Sequence, residues 1–504
     1  MPAARTEPDA FASARKSFEE MLCWLEGTES TGLTHAELEY QVERRGREVQ
    51  RLMLQDHLDL RALREQRVEV VDAETTVRSK VERAHRRRLA TVVGTVSVER
   101  LAYRHGGAPN LHPADGALNL PVELHSHGLR RLAAIESTRG SFDDAAAAIG
   151  RATGVSVAKR QVESLTATAA TDVEAFYATR APEPGASDDV MVISVDGKGI
   201  VMRPDALRSA TATAAGAATP KLGARLSKGE KRYRKRMAEV GAVYDLAPVA
   251  RSAADVLAST HDQATTTTAP PAPAPTATGK WVTASVARDA ADVVADVFAE
   301  ADRRDPEHRR CWVALVDGNN HQIDRINTEA AARGVDVAVV IDLIHVMEYI
   351  WSAAWCFFAE GDPAAQDWVR AKTIAVLQGH ARDVATGIRR RATAARLTKA
   401  KRNNADACAN YLTNKASYLD YPTALAAGWP IATGIIEGTC RYLVADRMDI
   451  TGARWSVDGA EAVLKLRAVR SNGDFDDYWA FHLNHERQRV HASRYANSVI
   501  PLAA

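Results

Sequence analysis

Cysteine is scarce in this chain of 504 residues. Cys23, Cys311, Cys356, Cys408 and Cys440 stand apart with no C-x-x-C pair, which excludes a disulfide framework and a zinc ribbon. A run of about twenty apolar residues is missing everywhere, and no apolar signal segment opens the chain. No membrane partner is therefore expected, and the default location is cytoplasmic. Charge of one sign is missing too: the formal net charge is +1, so bulk electrostatics do not make this a nucleic-acid binder. Positive charge is instead gathered at Arg86–Arg88, Lys228–Arg236 and Arg389–Arg402. Basic stripes of this kind, rather than a high overall pI, are what face phosphates. Each alone reads as a solvated face ahead of a DNA contact; the three together, with the core described below, reverse that order.

What is present is length enough for two to four domains, with 46% hydrophobic residues to build their cores. Residues 11–90 read as helical: Phe18, Met21, Leu22 and Leu25 recur at helical spacing, and a charged stretch from His35 to Arg67 keeps the period. This region is either a scaffold or dimerisation arm or a DNA contact. Ala90–Tyr103 (ATVVGTVSVERLAY) predicts a short hairpin. Residues 1–126 thus form a mainly helical region with one hairpin. Residues 127–180 predict a helix-turn-helix, with Ser141 as N-cap and Gly154 in the turn. Lys159, Arg160 and Gln161 then open the helix that such motifs place in the major groove, although helix pairs like this also occur in proteins that never touch DNA.

The segment RAPEPGASDD (180–189) marks a domain boundary. Beyond it, MVISVDGKGIVM predicts a strand ending on Asp196-Gly197, with GIVM as a second extended piece. Further strands are expected at 238–248, 281–288, 311–316 (ending on Asp317-Gly318) and 335–341 (ending on Asp342), with helices at 289–301 and 322–333. The order β-β-β-α-β-α-β is that of an RNase H-like sheet, giving an α/β core over 190–346. Two inserts, 204–235 and 256–280, are expected to be disordered, the second for its Thr/Pro/Ala composition. Residues 221–235, with Lys231, Arg232, Arg234 and Lys235, are expected to order on DNA. A helical insertion follows over 347–425. Its aromatics (Tyr349, Trp351, Trp355, Phe357, Phe358) read as its core ahead of a base-stacking platform. Residues 426–495 complete the core and carry Glu437 on a helix spanning 431–471.

Carboxylates that converge from neighbouring strand ends and a flanking helix can hold two Mg²⁺ or Mn²⁺ ions for phosphoryl transfer. Asp196, Asp317 and Glu437 fit that pattern. A strand-terminal Asp before Gly is also a common turn signal. If the strand at 335–341 is the relevant neighbour, Asp342 replaces Asp317 as second ligand. His345, one turn from Asp342, is either a structural histidine or a group near the scissile phosphate.

The motifs SVDGKG, LVDGNNH, DLIH and IIEGTCRYLVADRMDITGARWS, in that order, resemble bacterial insertion-sequence transposases of the ISKra type, relatives of the Mutator-like group. The resemblance spans roughly residues 90–495 and implies a DDE transposase that cuts and joins DNA. Double-stranded DNA (terminal inverted repeats and target) would be its partner, in a homodimer or higher homo-oligomer. It maps Asp196, Asp317 and Glu437 to the metal-binding triad and Asp342 and His345 to an ancillary pair. Relatives often carry a Cys-rich segment before the Leu-Pro step. Here residues 103–121 hold only His105 and His112, which cannot close a tetrahedral site, so zinc is not expected. Arg441, Arg447, Arg454 and Trp455 cluster after Glu437. Arg441 lies one turn from Glu437 and is expected to hold a phosphate, whereas Trp455 reads either as a base-stacking indole or as a core residue. The alternatives are an RNase H-like nuclease or resolvase, and a catalytically silent DNA-binding protein.

Overall fold

Two segments distant in sequence build the first of two compact units in this computed structural model, which describes residues 9–182, 185–217, 234–258, 272–432, 434–450 and 452–502. One unit comprises residues up to Thr179 together with those from Asp474 onward; the other runs from Arg180 to Gly473. Residues 474–495, grouped from sequence with the catalytic core, thus belong with the N-terminal unit. Among the described residues no helix is long and apolar enough to cross a membrane.

Helices α1 (Ala12–Glu26) and α2 (His35–Arg64) open the first unit, α2 fixed at its start by a capping box between Thr34 and Glu37. Helix then stops well short of residue 90. Strand β1 (Lys80–Thr91) pairs antiparallel with β2 (Gly94–His105), and β3 (Ala108–Leu111) adds to β2. The hairpin therefore starts ten residues before the predicted one. Arg86, Arg87 and Arg88 lie along β1: Arg86 pairs with Glu99 across the ladder at 2.7 Å, and Arg87 donates to the Glu123 carbonyl at 2.7 Å. Leu58, Leu89, Val96, Val98 and Leu120 form the core between α2 and this sheet.

The predicted helical array follows as α3 (His127–Ser137), α4 (Phe142–Thr153), α5 (Lys159–Ala169) and α6 (Val173–Thr179). Ser141 caps α4, and Gly154 ends it at φ +70°, a left-handed conformation that glycine adopts without strain.

The second unit holds a five-stranded mixed sheet in the order β6-β5-β4-β7-β8. Strand β4 (Val190–Val201) pairs antiparallel with β5 (Lys235–Leu246), which pairs antiparallel with β6 (Ala277–Ser285). On the other side β4 pairs in parallel with β7 (Trp312–Val316), and β7 with β8 (Val337–Ile341). Crossover helices α8 (Ala290–Arg304) and α9 (Asn320–Arg333) supply the connections, as the predicted element order required. One face of the sheet is covered by α8 so closely that a Cβ on Gly241 of β5 would lie 2.4 Å from Val297 Cγ2.

Three boundaries depart from expectation. Asp196 does not end its strand: β4 runs on through Gly197–Val201, held by full pairing with β5. Parts of both expected inserts are regular structure: helix α7 (Ser209–Ala217), the end of a short helix Ala253–Ala258, and the beginnings of β5 and β6 fall inside them. Residues 218–233 and 259–271, including Lys231 and Arg232, lie outside the described residues.

Beyond β8 the insertion comprises α10 (Leu343–Ala354), α11 (Pro363–Leu377), α12 (Ala381–Ala394) and α13 (Lys399–Asn414). The predicted helix over 431–471 is broken instead: α14 (Gly434–Thr439) leads into a π-helical turn (Cys440–Ala445), and α15 (Val457–Ser471) follows after a loop. Arg467 of α15 explains the wide turn, since its guanidinium donates to the carbonyls of Tyr442 and Leu443, the latter at 2.8 Å. The last helix, α16 (Phe475–Val490), joins α6 in the first unit, where the Tyr177 hydroxyl donates to Asp474 at 3.0 Å.

Candidate active site

Sheet register determines which carboxylates share a level. The parallel ladder reaches Ile193↔Ala314 between β4 and β7, and Val316↔Ile341 between β7 and β8. Three further steps bring Asp196 level with Asp317, and one further step brings Asp317 level with Asp342. Continuing the register in this way sets Asp196, midway along β4, on one line with Asp317 and Asp342, which follow the last residues of β7 and β8. Val195 is opposite Gly241 and shares its face under α8, so alternation turns Asp196 to the other face. On that face α14 and the π-turn pack against β4 and β5.

Each carboxylate is held by local donors. Asp196 accepts from the Gly197 N–H at 2.6 Å and from the Cys440 thiol at 3.3 Å. Asp317 accepts from the Asn319 N–H at 2.7 Å. Asp342 is buried and caps α10 by accepting from the Ile344 N–H at 2.7 Å. Glu437, in the first turn of α14, is exposed. Among the described residues no group of three or more His, Cys, Asp or Glu side chains converges closely enough to hold a metal ion. Of the expected triad, Asp196 and Asp317 are thus near enough to repel each other, while Glu437 lies exposed on α14.

Electrostatics show where positive charge is wanted. Burial lifts the Asp196 carboxyl above the usual carboxylate range, and the neighbouring Asp317 charge adds to it. The Gly197 N–H, the Cys440 thiol and His345 pull the other way. The Cys440 thiol is in turn pushed far up by burial and by the adjacent Asp196. His345 Nδ1 sits 3.4 Å from Glu348 in the first turns of α10. A Cβ on Gly318, which has φ +91°, would lie 2.6 Å from the Tyr411 hydroxyl, and that hydroxyl donates to the Asp317 carbonyl at 3.0 Å. Cys440 and Tyr411 were not anticipated. Cys440 was within reach of the sequence, being three residues after Glu437 and so near it on a helical run. Tyr411, from α13, carries no such signal.

The other expected contacts divide. Trp455 is 5% exposed; its indole N–H donates to the Met448 carbonyl at 3.0 Å, and its backbone bridges to Met202 at the end of β4. The Arg447 guanidinium, itself buried, lies 4.6 Å from the Trp455 ring centroid. Both are core residues, so base stacking by Trp455 and a DNA contact by Arg447 are overturned: the tryptophan fills the space beside β4 where β7 has ended. Arg441 and Arg454 are exposed, with Arg441 Nε 3.9 Å from Asp446. Lys235 opens β5 and Arg234 precedes it, both half-buried, with Lys235 Nζ 4.0 Å from Asp449. In the first unit Lys159, Arg160 and Gln161 are exposed at the start of α5. Lys159 is ion-paired with Asp143, and Gln161 accepts from the Ala158 N–H at 3.2 Å, capping its own helix.

Comparison with known proteins finds no family model that matches the chain and no curated protein that matches it.

Proposed function

We propose that the second unit is a DNA-cleaving and DNA-joining catalytic domain of the DDE transposase type, built on an RNase H-like sheet. The observation that carries this reading is the register line of Asp196, Asp317 and Asp342, with the helix bearing Glu437 packed on the face to which Asp196 turns. Strand order and the helical insertion between β8 and α14 support it. Asp196 and Asp317 suit a hard divalent cation, Mg²⁺ or Mn²⁺, because one carboxyl is raised by burial and by the other's charge, a penalty that a cation would relieve. Two such ions would supply an activated hydroxyl nucleophile and a stabilised leaving oxygen. Glu437 would complete their ligands from α14.

The chain's own side chains have separable tasks. Cys440 and the Gly197 N–H hold Asp196 in place, and Tyr411 holds the turn that carries Asp317. Asp342 is buried as the cap of α10, which favours Asp317 over Asp342 as the second ligand. Asp342 then positions His345 on the first turn beside Asp196. Arg441 and Arg454 are exposed for phosphate, and Arg160 opens the helix that would enter a DNA groove.

The test is strand transfer, using labelled DNA fragments taken from the flanks of the chain's own gene. Metal-dependent joining to a second DNA supports the proposal. Cutting without joining would make the protein a nuclease or resolvase, and binding alone would make it a silent DNA-binding protein.

A further inference from the structure

Because β4 does not stop at Asp196, it carries one more charged side chain past the carboxylates. Pairing with β5 continues through Asp196↔Val240, Gly197↔Glu239 and Lys198↔Ala238, so Lys198 keeps extended geometry two residues beyond Asp196. Alternation puts the two side chains on one face of the sheet, about 7 Å apart along the strand. The flanking glycines turn to the other face and are crowded there: a Cβ on Gly197 would lie 2.9 Å from Met237 Cε, and one on Gly199 2.8 Å from Lys235 Cδ. Strand β7 ends at Val316, so beyond Asp196 β4 has lost its parallel neighbour until Trp455 bridges to Met202. Lys198 is exposed in this stretch, and among the described residues its ammonium has no hydrogen-bond or ion-pair partner. Cys440 ties it to the carboxylates: the thiol donates to Asp196 at 3.3 Å and feels the charges of both Lys198 and Glu437.

Resting on the reading of the second unit as a DNA-cleaving domain, we propose that Lys198 is a substrate-binding residue of that site, its ammonium holding a non-bridging oxygen of one backbone phosphate of the strand being cut. A free ammonium suits a phosphate as a compact charge with three donors. Standing off the line of Asp196, Asp317 and Asp342, it adds positive charge without occupying the place of a cation between them. The other role open to this lysine is that of a counter-ion for Asp196. Such a lysine would close onto the carboxylate, whereas the Asp196 oxygens are taken by the Gly197 N–H and the Cys440 thiol. A strand ending at Asp196 would have left Lys198 in a turn; its place on the carboxylate face follows from the pairing with β5.

The experiment measures binding by the full chain in EDTA, where nothing is cut, to labelled duplexes from the flanks of its own gene in which single phosphates are replaced by neutral methylphosphonates. Wild type, Lys198→Ala and Lys198→Arg are compared, with thermal midpoints alongside. Lys198→Ala should bind about tenfold more weakly at an unchanged midpoint and lower the slope of log Kd against log salt concentration by about one. It should also be indifferent to one methylphosphonate that weakens wild type, because the contact is then already lost. Lys198→Arg should restore most of the affinity and the sensitivity to that phosphate. Equal affinity and salt slope for wild type and Lys198→Ala overturn the proposal. So does a lowered midpoint with every methylphosphonate weakening both proteins alike, which would make Lys198 part of the fold. Cleavage in Mg²⁺ is followed separately. A chain that couples Lys198 to one phosphate yet never cleaves leaves the contact standing and refutes the catalytic reading. A chain that cleaves without that coupling does the reverse.

Discussion

Replacing Trp455 by alanine tests the packing that supports the candidate site. The side chain is buried, its indole N–H is bonded to Met448, and the Arg447 guanidinium lies over its ring. Removing a buried ring of this size costs about 3–5 kcal/mol. The unpaired Met448 carbonyl adds roughly 1 kcal/mol, and loss of the ring face under buried Arg447 adds about as much again. Trp455→Phe should keep the face and lose only the N–H, for about 1–2 kcal/mol. Urea titration followed by circular dichroism gives both numbers. The alanine variant should lose every activity together, because the end of β4 bridges to this residue. An alanine variant as stable as wild type but failing in a late DNA step would refute the packing and return Trp455 to the DNA.

Two further perturbations follow. Gly241→Ala should cost about 1–3 kcal/mol, because the added Cβ meets Val297 at 2.4 Å and α8 must shift; a variant as stable as wild type would show that the helix is not in contact there. Burial, with the Arg130 charge adding to it, pulls His127 down to about 4. The folded state keeps this ring neutral while the unfolded chain protonates it near 6.5, so its contribution is complete above that pH and is lost as pH falls toward 4. The loss is on the order of 2–3 kcal/mol, and a pH series of melting temperatures in which His127→Gln falls as steeply as wild type would contradict it.

Local chemistry made some of this legible and hid the rest. Capping by Ser141 and the glycine at 154 are written in adjacent residues, so α4 and its turn could be read directly. The apolar run of β4 and its Asp-Gly step were equally plain, but the continuation through Gly197 depends on β5, forty residues away. Strand β1 was missed because its charged side chains mask any alternation, and only pairing with β2 identifies it. Trp455, after Gly452, read either as a base-stacking indole or as a core residue; what buries it is the free side of β4. The three-carboxylate line follows from strand register, which spacing alone does not give. The place of α16 with α6 depends on contacts such as that of the Tyr478 ring with Phe176, residues some three hundred positions apart.

The most direct test of the proposed chemistry is single-turnover cleavage of end-containing DNA in Mg²⁺ by Asp196→Ala, Asp317→Ala, Glu437→Ala and Asp342→Ala, with end binding measured in parallel. The first three should bind near wild type and lose cleavage by about a thousandfold or more. Asp342→Ala, which removes a buried helix cap, should lose about 1 kcal/mol of stability and retain cleavage. Normal cleavage by Asp317→Ala, with none by Asp342→Ala, would contradict the assignment of the second ligand, and undiminished cleavage by Asp196→Ala would contradict the site altogether.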